Sequence, residues 1–235
     1  MIMLDNVSRI QRTDTDTLLL LLSDVTHYFG RNERVGILAV PGSGKSSIAR
    51  LLSGIEKPDS GSVYREGKTS WPIGFAGGFH PELTGAQNIT FLSDLVGQDP
   101  LEAIAFCTEF ADLGDSMSKK IKTYSSLERA MVSYSFSLSM PCDMYIADEV
   151  IGVGDPDMRL RCSAILDQRL ENAGLIFLSK NPAQLEKHCT RFLLLIEGQF
   201  VPCDDLKLGA EALMQSSERT QVPPHIQFGN EKNNE

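Results

Sequence analysis

Apolar residues fall along the chain in short runs separated by segments of helical period. Met1 to Leu4 and Leu18 to Val25 read as strands, with the polar stretch Arg12-Thr13-Asp14-Thr15-Asp16-Thr17 as the turn between them. The leucine run Leu18 to Leu22, ended by Ser23-Asp24, falls far short of the roughly 20 residues that span a bilayer, and predicts a buried strand. A second apolar run, Val35 to Val40, leads into Ser46 to Ile55, where Ile48, Leu51, Leu52 and Ile55 recur at the spacing of one buried helix face. Gly54 and Pro58 close that helix; Lys57 to Val63 reads as a turn into a short strand, and Glu66-Gly67-Lys68 as another turn.

From Phe79 to about Pro141 helix signals dominate. Thr84-Gly85 and Asp99-Pro100 mark helix starts, and Leu101, Ile104, Ala105 and Phe110 stand at helical spacing. Ser125-Ser126-Leu127-Glu128 has the spacing of a capping box opening a helix to about Met140. Strand and helix then alternate: Met144 to Ala147, helix Asp157 to Asn172, strand Leu175 to Ser179, helix Pro182 to Cys189, strand Phe192 to Ile196, and a turn at Glu197-Gly198. Alternation of this kind predicts an α/β fold with a parallel sheet covered on both faces, preceded by an antiparallel β lobe and interrupted by a helical one. The expected domain is 1–215, with a core of 1–78 and 141–209 and an inserted lobe of 79–140. The Gln-, Asn- and Pro-rich tail 216–235 reads as disordered, and there is no internal repeat.

Chemistry concentrates at Ala39-Val40-Pro41-Gly42-Ser43-Gly44-Lys45-Ser46-Ser47, between the apolar run and the helix. Small residues let a backbone wrap an anion so that successive N–H groups converge on phosphates, and Gly42 and Gly44 supply that freedom. Lys45 would reach the β- and γ-phosphates of ATP, and Ser46 would place its hydroxyl on Mg²⁺ at the helix N-terminus. Ala39 stands where the motif has its first glycine, which is tolerable at negative φ. Asp148, ending an apolar strand, supplies the hard oxygen ligand that Mg²⁺ prefers, and the adjacent Glu149 can polarise a water attacking the γ-phosphate.

Composition narrows the rest. With 235 residues, 42% of them hydrophobic, the chain can bury one good core, and a net charge of −9 argues against a nucleic-acid surface. Cys107, Cys142, Cys162, Cys189 and Cys203 are scattered and predict reduced core residues; the four histidines form no metal-spaced cluster. Without a leader or a membrane span, the expected location is cytoplasmic.

With both motifs in place the chain resembles the nucleotide-binding subunits of ABC transporters, and within them the capsular-polysaccharide export ATPases, over about residues 1 to 205. The features that carry the resemblance occur in order: Gly54-Ile55-Glu56-Lys57-Pro58-Asp59-Ser60-Gly61; Ser70 to Phe79 followed by Leu83-Thr84-Gly85 and Asn88; Tyr124-Ser125-Ser126, similar to the family's signature; and Asp148-Glu149-Val150-Ile151-Gly152-Val153-Gly154-Asp155. The resemblance implies an ABC-type P-loop NTPase with a RecA-like core, acting as a dimer, most simply a homodimer. Each site would pair one subunit's phosphate loop with the other's signature helix, Ser125 contacting the γ-phosphate. It also implies a transmembrane permease docked beside Phe79 to Gly85, so that membrane contact runs through the permease alone, on the cytoplasmic face of the inner membrane. His80 takes the switch-loop position, which contacts the metal and the water, and Lys180 the position of the γ-phosphate histidine.

Several positions depart from that pattern. Leu127 replaces a signature glycine, Lys180 replaces the histidine, and Ile10, flanked by Arg9 and Arg12, stands where an aromatic usually stacks on adenine. The competing expectation is therefore a regulatory or structural subunit that binds nucleotide without turning it over. Retained Glu149 favours the exporter, because a structural descendant has no use for a base beside the γ-phosphate.

Overall fold

The computed structural model describes residues 1–12 and 16–217. Two sheets organise it. β1 (Ile2–Arg12) pairs antiparallel with β2 (Leu18–Phe29) on one side. After β3 (Arg34–Leu38) and α1 (Lys45–Ser53), β4 (Ser60–Arg65) adds to the other side of β1, giving the order β2-β1-β4. This is the predicted antiparallel lobe. Its leucine run is only half buried: Leu21 and Leu22 are in the core, whereas Leu18 and Leu20 are 49% and 41% exposed. They lie at the turn end of the hairpin, opposite Arg12 and Ile10. Residues 13–15 of the predicted turn lie outside the described residues.

The larger sheet is built from β5 (Thr69–Pro72), β6 (Met144–Asp148), β7 (Gly174–Ser179), β8 (Arg191–Ile196) and β9 (Gln199–Pro202) together with β3, in the order β5-β6-β7-β3-β8-β9. All pairs are parallel except β8 with β9. β7 is buried at all six positions, as an apolar strand covered on both faces must be. Parallel strands bring their carboxyl ends to one edge, so Leu38, Asp148 and Ser179 end up side by side: Leu38 pairs with Ser179 and Asp148 with Leu178. Ligands of open parallel sheets gather at that edge.

Helices α2 (Gly85–Val96), α3 (Pro100–Phe110) and α4 (Ser126–Ser139) form the helical part, around a core of Ile89, Leu92, Ala103, Cys107, Val132 and Phe136. Their starts are the predicted ones, capped by Thr84, Asp99 and Ser125. The buried face of α3 differs from expectation. Ala103 and Cys107 are inside while Leu101 is 77% exposed, because small side chains let α3 lie close against α2 and α4. α4 is buried from Val132 to Ser139, and its serines bond back to their own helix: the Ser133 hydroxyl donates to the Arg129 carbonyl and the Ser137 hydroxyl to that of Ser133. That local satisfaction lets an alternating Ser/apolar sequence remain helical inside a core.

α5 (Pro156–Arg169) and α6 (Pro182–His188) cover the second face of the large sheet, as predicted. The sequence reading missed β5, β9 and a last helix, α7 (Leu206–Ser217), which buries Leu206 and Leu213 against the same core. Ser216 and Ser217 thus belong to a helix rather than to the expected tail; residues 218–235 lie outside the described residues. All five cysteines are free, and burial pushes the Cys107 and Cys189 thiols up to about 12, so they stay as inert thiols. No helix among the described residues is long and apolar enough to cross a membrane.

Candidate functional site

The site is assembled at the carboxyl edge of the parallel sheet. β3 ends at Leu38, and Ala39, buried and without positive φ, donates its N–H to the Ser179 carbonyl at 3.1 Å. The extra methyl is thus accommodated as the motif requires. Gly42 and Gly44 both take φ near +80°, a left-handed conformation that costs a side-chain-bearing residue about 1–3 kcal/mol. A Cβ on Gly44 would also lie 2.1 Å from the Leu21 side chain, so this position is closed to any other residue without repacking. The Ser43 hydroxyl donates to the Val40 carbonyl, which tightens the loop.

Gly44 caps α1 with no side-chain hydrogen bond to the first turn. A helix start leaves its first N–H groups without intrahelical acceptors, and here no cap side chain among the described residues fills them. The position therefore suits an anion such as phosphate. Lys45 is 9% exposed; its Nζ donates to the Val40 carbonyl at 3.0 Å and forms an ion pair with Glu149 Oε1 at 3.3 Å. Ser46 is exposed at the first turn, whereas the Ser47 hydroxyl is committed to Gln11 Oε1 at 2.6 Å and accepts from Arg50 at 2.9 Å. Sequence reading placed Ser47 in the loop but missed Gln11, which only the β1 to α1 packing brings near.

Asp148 ends β6 and Glu149 follows it, reaching the loop through Lys45. Asp148 Oδ1 is buried and has no hydrogen-bond partner among the described residues, a costly state for a carboxylate oxygen. The oxygen set of Asp148 and the Ser46 hydroxyl fits a hard divalent cation such as Mg²⁺. Glu149 adopts φ +58°, uncommon for a residue with a side chain, and is held there on several sides. Its N–H donates to the Leu178 carbonyl at 2.9 Å; its Oε2 accepts from the Ser179 hydroxyl at 2.9 Å and its Oε1 from the Lys180 N–H at 3.2 Å. The Lys180 side chain is exposed, so this residue reaches Glu149 through its backbone. Ser179 and Gln184 were not foreseen. The β6/β7 pairing brings Ser179 to Glu149, and Gln184, five residues on in α6, reaches the Ser179 hydroxyl.

Other expected residues lie apart from this cluster. The His80 N–H donates to Asn88 Oδ1 at 2.6 Å and its Nδ1 accepts from the Glu82 N–H, which ties it to the turn before α2. Arg9 is paired with Glu56 and Asp59, and the Ile10 N–H donates to Asp59. At α4 the capping box is complete: Ser125 Oγ accepts from the Glu128 N–H, and Glu128 Oε2 accepts from the Ser125 N–H. Those bonds hold the Glu128 carboxyl below the usual carboxylate range, the backbone bond from Ser125 contributing most. Leu127 beside it is 51% exposed.

The family model described as "ABC transporter" matches residues 22–152, more than half of the chain. The chain belongs to the ABC transporter family. Among curated members, the Escherichia coli polysialic acid transport ATP-binding protein KpsT is 35% identical over 191 residues, covering 80% of this chain and 87% of that protein. The capsule polysaccharide export ATP-binding protein CtrD of Neisseria meningitidis serogroup B is 32% identical over 186 residues, covering 79% and 86%. The dimeric, ADP- and phosphate-bound structure of the ATP-binding cassette MJ0796 superposes with a TM-score of 0.69 at 17% identity, over 85% of this chain and 96% of that one. That likeness speaks to the fold. This ABC chain therefore combines an ATP-binding cassette fold with export-type relatives, and the family is one of ATPases.

Proposed function

We propose that the chain is the ATP-binding subunit of an ABC exporter that couples ATP binding and hydrolysis to export of a capsular or related cell-envelope polysaccharide across the inner membrane. The observation that carries the catalytic part is the meeting of Lys45 and Glu149 at 3.3 Å beside the orphaned Asp148 Oδ1. This pairing supports a reading in which Lys45 is the phosphate-loop cation, Glu149 the base and its neighbour Asp148 the metal-side carboxylate. The polysaccharide rests on relatives named for polysialic acid transport and capsule export.

In this reading the α1 N-terminus and Lys45 hold the β- and γ-phosphates, and Ser46 and Asp148 hold Mg²⁺, which would neutralise phosphate charge. Glu149 accepts a proton from the attacking water while the water oxygen bonds to the γ-phosphorus. The bond from that phosphorus to the bridging oxygen breaks, and ADP leaves with its electron pair. Binding nucleotide draws Lys45 away from Glu149, so the base is released as the substrate arrives. Residues 1–78 and 141–209 serve as the nucleotide-binding core and 79–140 as the lobe carrying the partner-facing Ser125. His80 would contact the metal and the water from the switch-loop position, and Lys180 the γ-phosphate. Where α4 meets the turn after β5, a cavity of about 200 Å³ lined by Phe79, Pro81, Ile121, Lys122, Arg129 and Val132 is the proposed seat of the permease. The subunit would then be peripheral on the cytoplasmic face.

Steady-state ATP hydrolysis by the purified chain, alone and with its membrane subunit in nanodiscs, tests this reading against Glu149→Gln as the blank. Turnover above the blank, stimulated by the membrane subunit, is expected. Mg-ATP binding without turnover in either setting would favour the nucleotide-binding regulatory subunit, a reading supported by Leu127 and Lys180.

A further inference from the structure

We infer that Ser179 is a positioning residue for Glu149, orienting the carboxylate once Lys45 has moved to the nucleotide. This deepens the proposed function and rests on its reading of Glu149 as the base. Ser179 is the last residue of β7 and is fully buried. Its hydroxyl stands 2.9 Å from Glu149 Oε2 and 3.3 Å from Gln184 Oε1, and it accepts from the Asn181 N–H at 3.1 Å. A hydroxyl has a single proton. The shorter contact to the charged acceptor takes it, because hydrogen bonds to ionised groups are about twice as strong as neutral ones. The Asn181 N–H fills a lone pair of the oxygen, which leaves the proton aimed at the carboxylate.

Glu149 needs such a hold. It sits in the left-handed region, 31% exposed as a side chain, and its only side-chain cation in this arrangement among the described residues is Lys45. Once the phosphates take Lys45, Oε1 loses that partner and its lone pair becomes available to a water. The carboxylate then keeps the Ser179 hydroxyl on Oε2 and the Lys180 N–H on Oε1. The Lys180 bond comes from the backbone and no substitution at 180 other than proline removes it, so Ser179 is the part of the hold that a side-chain change can remove. Misplacing a reacting group by an ångström can cost about 100-fold in rate.

Ser179→Ala and Ser179→Thr, assayed for kcat, KM for ATP and thermal midpoint, test the inference. For Ser179→Ala the expected result is a kcat lower by about tenfold to 100-fold with KM within about twofold. Ser179→Thr, which keeps the hydroxyl, is expected to restore kcat. A purely structural role would instead lower the midpoint and raise KM along with any fall in kcat, and that outcome overturns the inference. So does an unchanged kcat in Ser179→Ala while the unaltered chain turns over well above Glu149→Gln; the proposed function then stands alone. If the unaltered chain does not exceed that blank, both fall together.

Discussion

The starts of α1 and α4 are built in opposite ways. α1 starts at a glycine with no side-chain cap, so its first N–H groups remain available to an anion. α4 starts at Ser125 inside a complete capping box, and Glu128 puts a carboxylate in its first turn. The same helix dipole is present at both ends. What differs is who satisfies the donors: at α1 a phosphate can, whereas at α4 the Ser125 side chain already takes the Glu128 N–H and Glu128 takes the Ser125 N–H. A helix start is therefore an anion site only to the extent that the sequence leaves it uncapped. A separated subunit is therefore expected to bind nucleotide at the start of α1.

The largest effect that can break this comparison is expected for Lys45→Ala. Removing the buried Lys45 cation beside the phosphate loop should weaken Mg-ATP binding about 100-fold, close to 3 kcal/mol, by isothermal titration. Retention of near-normal affinity would mean that the open helix start is not the phosphate site. Gly44→Ala comes next. It combines the left-handed φ with the Leu21 contact, and should cost about 2–4 kcal/mol of stability by denaturant unfolding while also weakening nucleotide binding.

Leu127→Gly combined with Lys180→His sharpens the α4 side. With the side chain gone beside the capped turn, turnover should rise by about tenfold, 1.4 kcal/mol off the barrier. A flat or lower rate would show that the closed site has adapted around Leu127 and Lys180. The smallest effect belongs to Glu128→Ala. It opens the capping box, costs about 1 kcal/mol by thermal unfolding, and should leave Mg-ATP affinity of the lone subunit unchanged.

Much of this contrast was legible from residues alone. Gly42, Gly44 and Lys45 announced the anion loop, Ser125 and Glu128 announced the capping box, and the apolar strands before Ala39 and Asp148 announced the parallel sheet. What stayed hidden has physical causes. The ties from Ser179 to Glu149 and from Gln11 to Ser47 depend on strand register and layer packing, which no local pattern encodes. Leu18 and Leu20 stay exposed because a hydrophobic run shows that a strand exists, not that a layer covers all of it. The buried face of α3 was misjudged for a related reason: Leu101 has the larger apolar area, but only small Ala103 and Cys107 fit where three helices approach closely. α7 was readable in principle. Leu206, Ala210 and Leu213 have helical spacing, but the reading stopped assigning elements after the turn at Glu197-Gly198.

Amide hydrogen exchange on the purified chain, with and without Mg-ATP and at concentrations that keep it monomeric, tests the central contrast most directly. Protection is predicted at 44–48, at the start of α1, with the first turn of α4 at 126–129 unchanged. Protection at 126–129 without any at 44–48 would contradict the account, because the helix start that the protein caps for itself would then be the one that binds the phosphates.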